Sequence, residues 1–234
     1  HYYLRAPSCI YENNLKLVHS LHVYLWEDEM SEKYVIVTMA NIAPENRAEV
    51  LGKLPALVDE SRAAGSSRAG MGVMLTGSVP GAVLMFQMVD ELNKIENIYS
   101  AFSTSATYKS LLAGGVNVVK RNIASIQLSH TFSDQPNLKY TVMTRGSSSA
   151  DPEKVISLID EASALFRDNG AQTMRFGRIM TGDNVGDYLL GISYESLAQV
   201  EATYDAIAKS PLAAQIYSIL DVNARSITQL LAIK

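Results

Sequence analysis

The strongest constraint on this chain is that it repeats itself. Residues 65–105 and 170–210 align without a gap, with Gly65 and Gly170 standing 105 positions apart. The matches include Gly72/Gly177, Thr76/Thr181, Gly77/Gly182, Gly81/Gly186, Leu84/Leu189, Tyr99/Tyr204 and Ser105/Ser210. With one residue of slack, Lys33-Tyr34 pairs with Lys139-Tyr140 and Arg121 with Arg225. A period this long, present twice, means a duplicated domain rather than a solenoid. The reading divides the chain into an extension over 1–31, repeat 1 over 32–130, a linker over 131–137 and repeat 2 over 138–234.

Composition excludes several classes. The chain has 234 residues, 47% of them hydrophobic and 19% charged, which suits a folded domain pair with a real core. A net charge of −4 argues against nucleic acid as a partner. Cys9 is the only cysteine, so neither an intrachain disulfide nor a thiolate metal cluster can form. No apolar run reaches the roughly 18 residues that span a bilayer, so no membrane role is expected, and a cytoplasmic home is the default. Residues 1–29 hold Trp26, Cys9, His1, His19 and His22, and they read as sequence upstream of the duplicated unit or added to it. The alternating run Ser20–Trp26 is compatible with an extra strand.

Each repeat spells β-α-β-β-α-β. Tyr34–Asn41 is β-branched and aromatic, which favours a strand. Pro44 opens a helix carrying Val50, Leu54, Leu57 and Val58 at helical spacing, and Pro55 is expected to kink or divide it near Gly52. In repeat 2 the same helix has Asp151 as N-cap, Pro152 at the first helical position and Gly170 as its stop. Two strands then flank a glycine-bounded turn, Gly77–Gly81 or Gly182–Gly186, as in a hairpin. A second helix and a last strand, near Ile123–His130 or Ile227–Ile233, complete the unit. The fold class is therefore α+β, two tandem ferredoxin-like repeats. In Val35–Ala40 and Val83–Phe86 both alternating sets are mainly apolar. An antiparallel sheet with one wet face would alternate apolar with polar, so the face away from the helices also needs cover. The sheet of the other repeat, or of a second chain, supplies it.

Over residues 32–234 the chain resembles the dimeric α/β-barrel superfamily. The best local match is Glu195–Tyr204 followed by Lys209-Ser210-Pro211-Leu212, a second helix, a small-Pro break and a short helix. Repeat 1 keeps Tyr99 and Ser105 but has Ala106 in place of Pro211. The resemblance implies two ferredoxin-like units forming a β-barrel with a pocket. It embraces cofactor-free monooxygenases, heme-degrading enzymes, lactone isomerases and many proteins without known activity. It also implies self-association, because related single-unit proteins pair through these sheets. Fold alone does not fix function.

The duplication also filters candidate residues: a polar group in one copy that faces an apolar one in the other has departed from simple packing. Met39 corresponds to Arg145, Gly70 to Arg175, Val73 to Arg178, Val83 to Tyr188 and Val89 to Tyr194. Tyr188 and Tyr194 share one face of a strand. With Arg145 and Arg178 two readings fit them: a site converging on a carboxylate or enolate inside the barrel, or ordinary packing, with the strand arginines solvated at an edge or paired with a carboxylate. Arg175 and Arg178 face opposite ways, so at most one enters the same cavity. Asn41 is a further candidate, since an amide can hold an oxygenated substrate; Gln87 is a second polar residue on an apolar strand. His130 is the one histidine inside the repeats and would be needed for heme chemistry, but a surface role suits its strand-end position better. There is no metal-ligand spacing, P-loop, G-x-S-x-G or dinucleotide fingerprint, and no cofactor is expected. Two functions fit: a small-molecule enzyme or binder with a barrel pocket, monooxygenase-like by resemblance, or a non-catalytic protein whose interior is filled by Met, Leu and Phe.

Overall fold

All eight strands of the two repeats join one closed barrel, in the order β1-β3-β2-β8-β5-β7-β6-β4. The computed structural model describes residues 32–234; the extension, with its alternating run Ser20–Trp26, lies outside the described residues. Repeat 1 runs β1 (Tyr34–Ile42), α1 (Arg47–Ala63), β2 (Arg68–Met74), β3 (Val83–Val89), α2 (Lys94–Thr104), α3 (Ala106–Ala113) and β4 (Val116–Thr131). Repeat 2 follows with β5 (Tyr140–Ser147), α4 (Pro152–Asp168), β6 (Ala171–Thr181), β7 (Tyr188–Tyr194), α5 (Leu197–Lys209), α6 (Pro211–Ile219) and β8 (Asp221–Ile233). Within each repeat the strands lie in the same order, β4-β1-β3-β2 and β8-β5-β7-β6.

The two sheets meet edge to edge rather than as stacked layers. Antiparallel pairing of β2 with β8 and of β4 with β6 closes the ring within one chain, which leaves no free strand edge in it. Gly72 and Gly177, matched in the repeat, sit at these two seams. A Cβ on Gly72 would stand 2.1 Å from the Gln229 carbonyl oxygen, and one on Gly177 would stand 2.1 Å from that of Ser125. Both seams also carry a register shift beside the glycine. The glycines therefore let the two backbones approach where the halves are joined.

Strand alternation sorts the apolar residues into three cores. Ile36, Met71, Met85 and Val89 face α1, α2 and α3, where Val50, Leu54, Val58, Ile98 and Phe102 cover them. Val142, Met174, Phe176 and Ile192 face α4 and α5 in the same way. The opposite face of the strands looks into the barrel, where Met74 and Leu84 pack with Val37, Met39, Phe86 and Met143. This is the physical content of a sheet that is apolar on both sides.

Several local expectations change in the fold. Helix α1 runs unbroken from Arg47 to Ala63 with Pro55 inside it. Val50, Leu54, Leu57, Val58 and Ser61, on both sides of the proline, are buried against the sheet and hold the helix as one piece. Strands β4 and β8 begin earlier than their apolar cores suggest, because their first halves pair with the ends of β1 and β5. The cap at Asp151 forms as read, its carboxylate accepting from the Glu153 amide at 3.0 Å. Gln87 is buried and donates to Ser61 Oγ at 2.8 Å, so its polarity is satisfied beneath α1.

The repeated tyrosines and arginines are scaffolding. Arg121 lies 4.8 Å over the Tyr99 ring and donates from Nε to Thr38 Oγ1 at 2.9 Å. Arg225 does the same to Tyr204 at 4.9 Å and to Thr144 Oγ1 at 3.0 Å. Burial pushes the phenols of Tyr99, Tyr194 and Tyr204 above their ordinary range; Arg121 pulls Tyr99 back only in part, Arg225 does so for Tyr204, and Thr203 and then Arg225 do so for Tyr194.

Two outcomes follow. Gly72→Ala and Gly177→Ala each lower stability by about 1–3 kcal/mol through backbone overpacking, whereas Gly52→Ala, with open space around its added carbon, raises it by about 0.5–1 kcal/mol; urea unfolding checks both. Because the folded phenols hold their protons longer than unfolded ones, their stabilisation is complete below about pH 10 and declines as pH rises above it. Thermal melts across that range should show a falling Tm, with a shallower fall in Tyr194→Phe.

Candidate functional site

The interior of the barrel is pinched at Val37, Met143 and Leu189, which line the cavities on both sides. Toward the start of β1 the space is about 70 Å³. There Phe86 and Met88 take up room, and Arg175 and Arg68 meet Glu32 at 2.9 and 3.3 Å. Arg175 also donates to the His130 carbonyl at 2.7 Å. This end carries a partly buried ion cluster. Burial pulls the Arg175 guanidinium down and Glu32 pulls it back up.

Toward the end of β1 the cavity opens to about 510 Å³. Its floor is apolar, formed by Met39, Met74, Leu84, Met143 and Leu189. Its rim is polar: Lys120 and Asn122 from β4, Arg145 from β5, and Asn223 and Ser226 from β8. In β5, Arg145 shares its strand face with Met143; in β4, Lys120 and Asn122 share theirs with Ala124 and Ile126. Each repeat contributes one of the two inward cations. Met39 pairs across strands with Lys120, and at the equivalent place Arg145 pairs with Ala224.

The turn between β6 and β7 is tethered at this rim. Asn122 Nδ2 donates to the Asp183 carbonyl at 2.7 Å, and Lys120 Nζ lies 3.5 Å from Asp183 Oδ2. Arg145 Nε lies 3.6 Å from Asp187 Oδ2, an ion-pair contact too long to count as a hydrogen bond. Arg145 Nε and Asn122 Oδ1 are buried atoms without a hydrogen-bond partner among the described residues.

Of the residues singled out in the sequence, the structure puts Arg145 on the wide cavity and the others elsewhere. Tyr188 and Tyr194 do share a face, but it is the helix face. Tyr188 stacks on Phe176 at 5.2 Å, and Tyr194 is 2% exposed under α5. Alternation along β7 instead turns Leu189, Gly191 and Ser193 inward. Arg178 is exposed, donates to the Gly186 carbonyl at 3.0 Å and lies 5.8 Å over the Tyr188 ring, outside the barrel. Arg175 enters the barrel, as opposite facing demands, but at the narrow end. Asn41 is exposed at the end of β1, opposite Asn117. The expected convergence of two tyrosines and two arginines therefore does not occur. His130 lies outside the barrel, with Nε2 2.7 Å from Asp160 Oδ1 and its ring stacked on Phe132.

Lys120 and Asn122 were missed, although the same filter reaches Lys120. Extending the Arg121/Arg225 match along the last strand sets Lys120 against Ala224 and Asn122 against Ser226. Lys120 is a departure of repeat 1, whereas the five that the filter singled out lay in repeat 2; Asn122 faces polar Ser226, which the filter passes over.

Solved structures with this architecture are similar to the chain in fold. An anthrone oxidase-like protein aligns with a TM-score of 0.57 at 12% identity, over 88% of this chain and 94% of that one. A heme-binding protein from Thermus thermophilus aligns at 0.57 and 12%, over 86% and 92%. A chlorite dismutase variant from Candidatus Nitrospira defluvii aligns at 0.55 and 11%, over 86% and 92%. At these identities the likeness is one of fold. A heme iron needs an axial imidazole, thiolate, phenolate or paired thioether. The wide cavity is lined by no histidine, cysteine or tyrosine among the described residues, and its methionines have no such second ligand beside them. The space between sheet and helices in repeat 2 is about 70 Å³, too small for a porphyrin. The residues present do not fit that group.

No curated protein matches the chain by sequence. The family model described as a domain of unknown function, DUF6854, matches twice, over residues 32–126 and 138–230, and the chain belongs to that family in tandem.

Proposed function

We propose that this protein binds a small, partly apolar organic molecule in the wide end of the barrel, and transforms it without a bound cofactor. The observation that carries this reading is the cavity of about 510 Å³ with an apolar floor and a polar rim. That volume falls within the range of about 300–1,000 Å³ common for small-ligand sites. Met39, Met74 and Met143 give the floor a soft, adaptable surface. Lys120, Asn122 and Arg145 supply one acceptor and several donors that orient the polar end of a guest. The transforming half of the reading rests on the resemblance to cofactor-free monooxygenases and on the fold shared with an anthrone oxidase-like protein. The filled-interior alternative describes the narrow end, where Phe86 and Met88 occupy the space, and not the wide one.

N-phenyl-1-naphthylamine, a neutral aromatic dye that brightens in apolar surroundings, tests the binding half. Saturable brightening is expected with the wild-type protein and its loss with Leu189→Trp, which fills the floor; circular dichroism verifies that the variant is folded. Equal brightening in both would remove the cavity from consideration. Oxygen uptake in the presence of anthrone, above the rate without protein, checks the catalytic half.

A further inference from the structure

The rim cations are paired with acids that belong to a single turn. Among the described residues, Lys120 is paired with Asp183 and Arg145 with Asp187, both on the segment joining β6 to β7. The matching turn of repeat 1 has Ser78 and Ala82 at those two places, so the acids are peculiar to repeat 2. Both contacts are loose. At 3.5 and 3.6 Å they exceed the about 2.7–2.9 Å of a charge-assisted hydrogen bond. The Arg145 Nε donor and the Asn122 Oδ1 acceptor are buried beside them without hydrogen bonds to any described residue, and Asn122 is only 6% exposed. Buried polar atoms of this kind ordinarily find partners.

The turn itself does not depend on these ion pairs. Its backbone is held by Asn122 donating to the Asp183 carbonyl at 2.7 Å and by Arg178 donating to the Gly186 carbonyl at 3.0 Å. Gly182, Asn184 and Gly186 adopt the positive φ angles that shape it. The two carboxylates can therefore leave the cations by side-chain rotation while the turn stays in place. The Asp183 side chain is 73% exposed and loses little by facing water instead. Beneath the cations lies the apolar floor of Met39, Met143 and Leu189.

Building on the small-molecule reading above, we propose that the guest is an organic anion. Its carboxylate or sulfonate takes the place of Asp187 on Arg145 and of Asp183 on Lys120, while its apolar body rests on the methionine floor. The two aspartates are internal competitors that set the affinity for such anions. A neutral guest of the same shape gains nothing from the exchange and feels no competition from the acids.

Two dyes of one skeleton separate charge from apolar fit: N-phenyl-1-naphthylamine, which is neutral, and 1-anilinonaphthalene-8-sulfonate, which adds a sulfonate. The full chain is expected to bind the sulfonate dye more tightly, with an advantage that shrinks as salt rises. Asp187→Asn should tighten the sulfonate dye by about tenfold, and Arg145→Gln should weaken it by a similar factor. Asp183→Asn, at an exposed turn position, should tighten it more modestly. Neither aspartate variant should change binding of the neutral dye. If the neutral dye binds and the sulfonate dye binds no better, the anion proposal is overturned while the cavity reading stands. The proposal is also overturned if both aspartate variants leave the sulfonate dye unaffected, or if Leu189→Trp fails to abolish its binding. If neither dye binds, the cavity reading falls, and this proposal with it.

Discussion

A sheet that is apolar on both faces must hide both, and that requirement organises the whole molecule. Helices cover one face of each half. The other face is removed from water only when the two sheets curl together and share their edges, β2 to β8 and β4 to β6. Closure consumes every strand edge, so the seams are where backbone meets backbone most tightly. Gly72 and Gly177 stand there because a side-chain carbon would lie 2.1 Å from a carbonyl oxygen. A duplicated pair of glycines is thus the covalent signature of a joint between halves.

Duplication fixes the frame and frees the interior to diverge. On the outside, Arg121 with Tyr99 and Arg225 with Tyr204 repeat each other almost to the tenth of an ångström. Inside, the same register positions have parted. Gly70 opposite Phe86 in repeat 1 corresponds to Arg175 opposite Gly191 in repeat 2. The large side chain has changed strands: in repeat 1 it fills space and in repeat 2 it carries charge. Met39 with Lys120 and Arg145 with Ala224 show the same exchange at the other end. One end of the barrel is narrow and carries the ion cluster of Glu32, Arg68 and Arg175, and the other keeps a cavity under a charged rim. A barrel built from two like halves has become one whose ends differ in room and in charge.

Much of the fold was legible because its causes are local and periodic. The helix spacing, the Asp151 cap, the glycine-bounded turns and the doubly apolar strands all act over a few residues. The candidate site was less legible. Alternation says that Tyr188 and Tyr194 share a face but not which face, and the helix layer took them. Arg178 lies on that same outer side, near the Tyr188 ring. Lys120 and Asn122 lie in the early part of β4, before its apolar core at Ile123–His130, and nothing in Lys120-Arg121-Asn122 itself marks a strand; pairing with β1 makes it one and so turns Lys120 and Asn122 inward.

The sequence by itself determined that there are two like halves, that each is βαββαβ, and that neither can leave its sheet uncovered. These follow from periodicity, turn chemistry and the cost of exposing apolar surface. Only the tertiary structure decided that the halves close edge to edge within one chain, and which side chains face the lumen. The phase of each strand relative to its neighbours sets the inside and outside of a barrel. That phase comes from register and from the shifts at the seams, which are properties of pairing between distant segments rather than of any one segment.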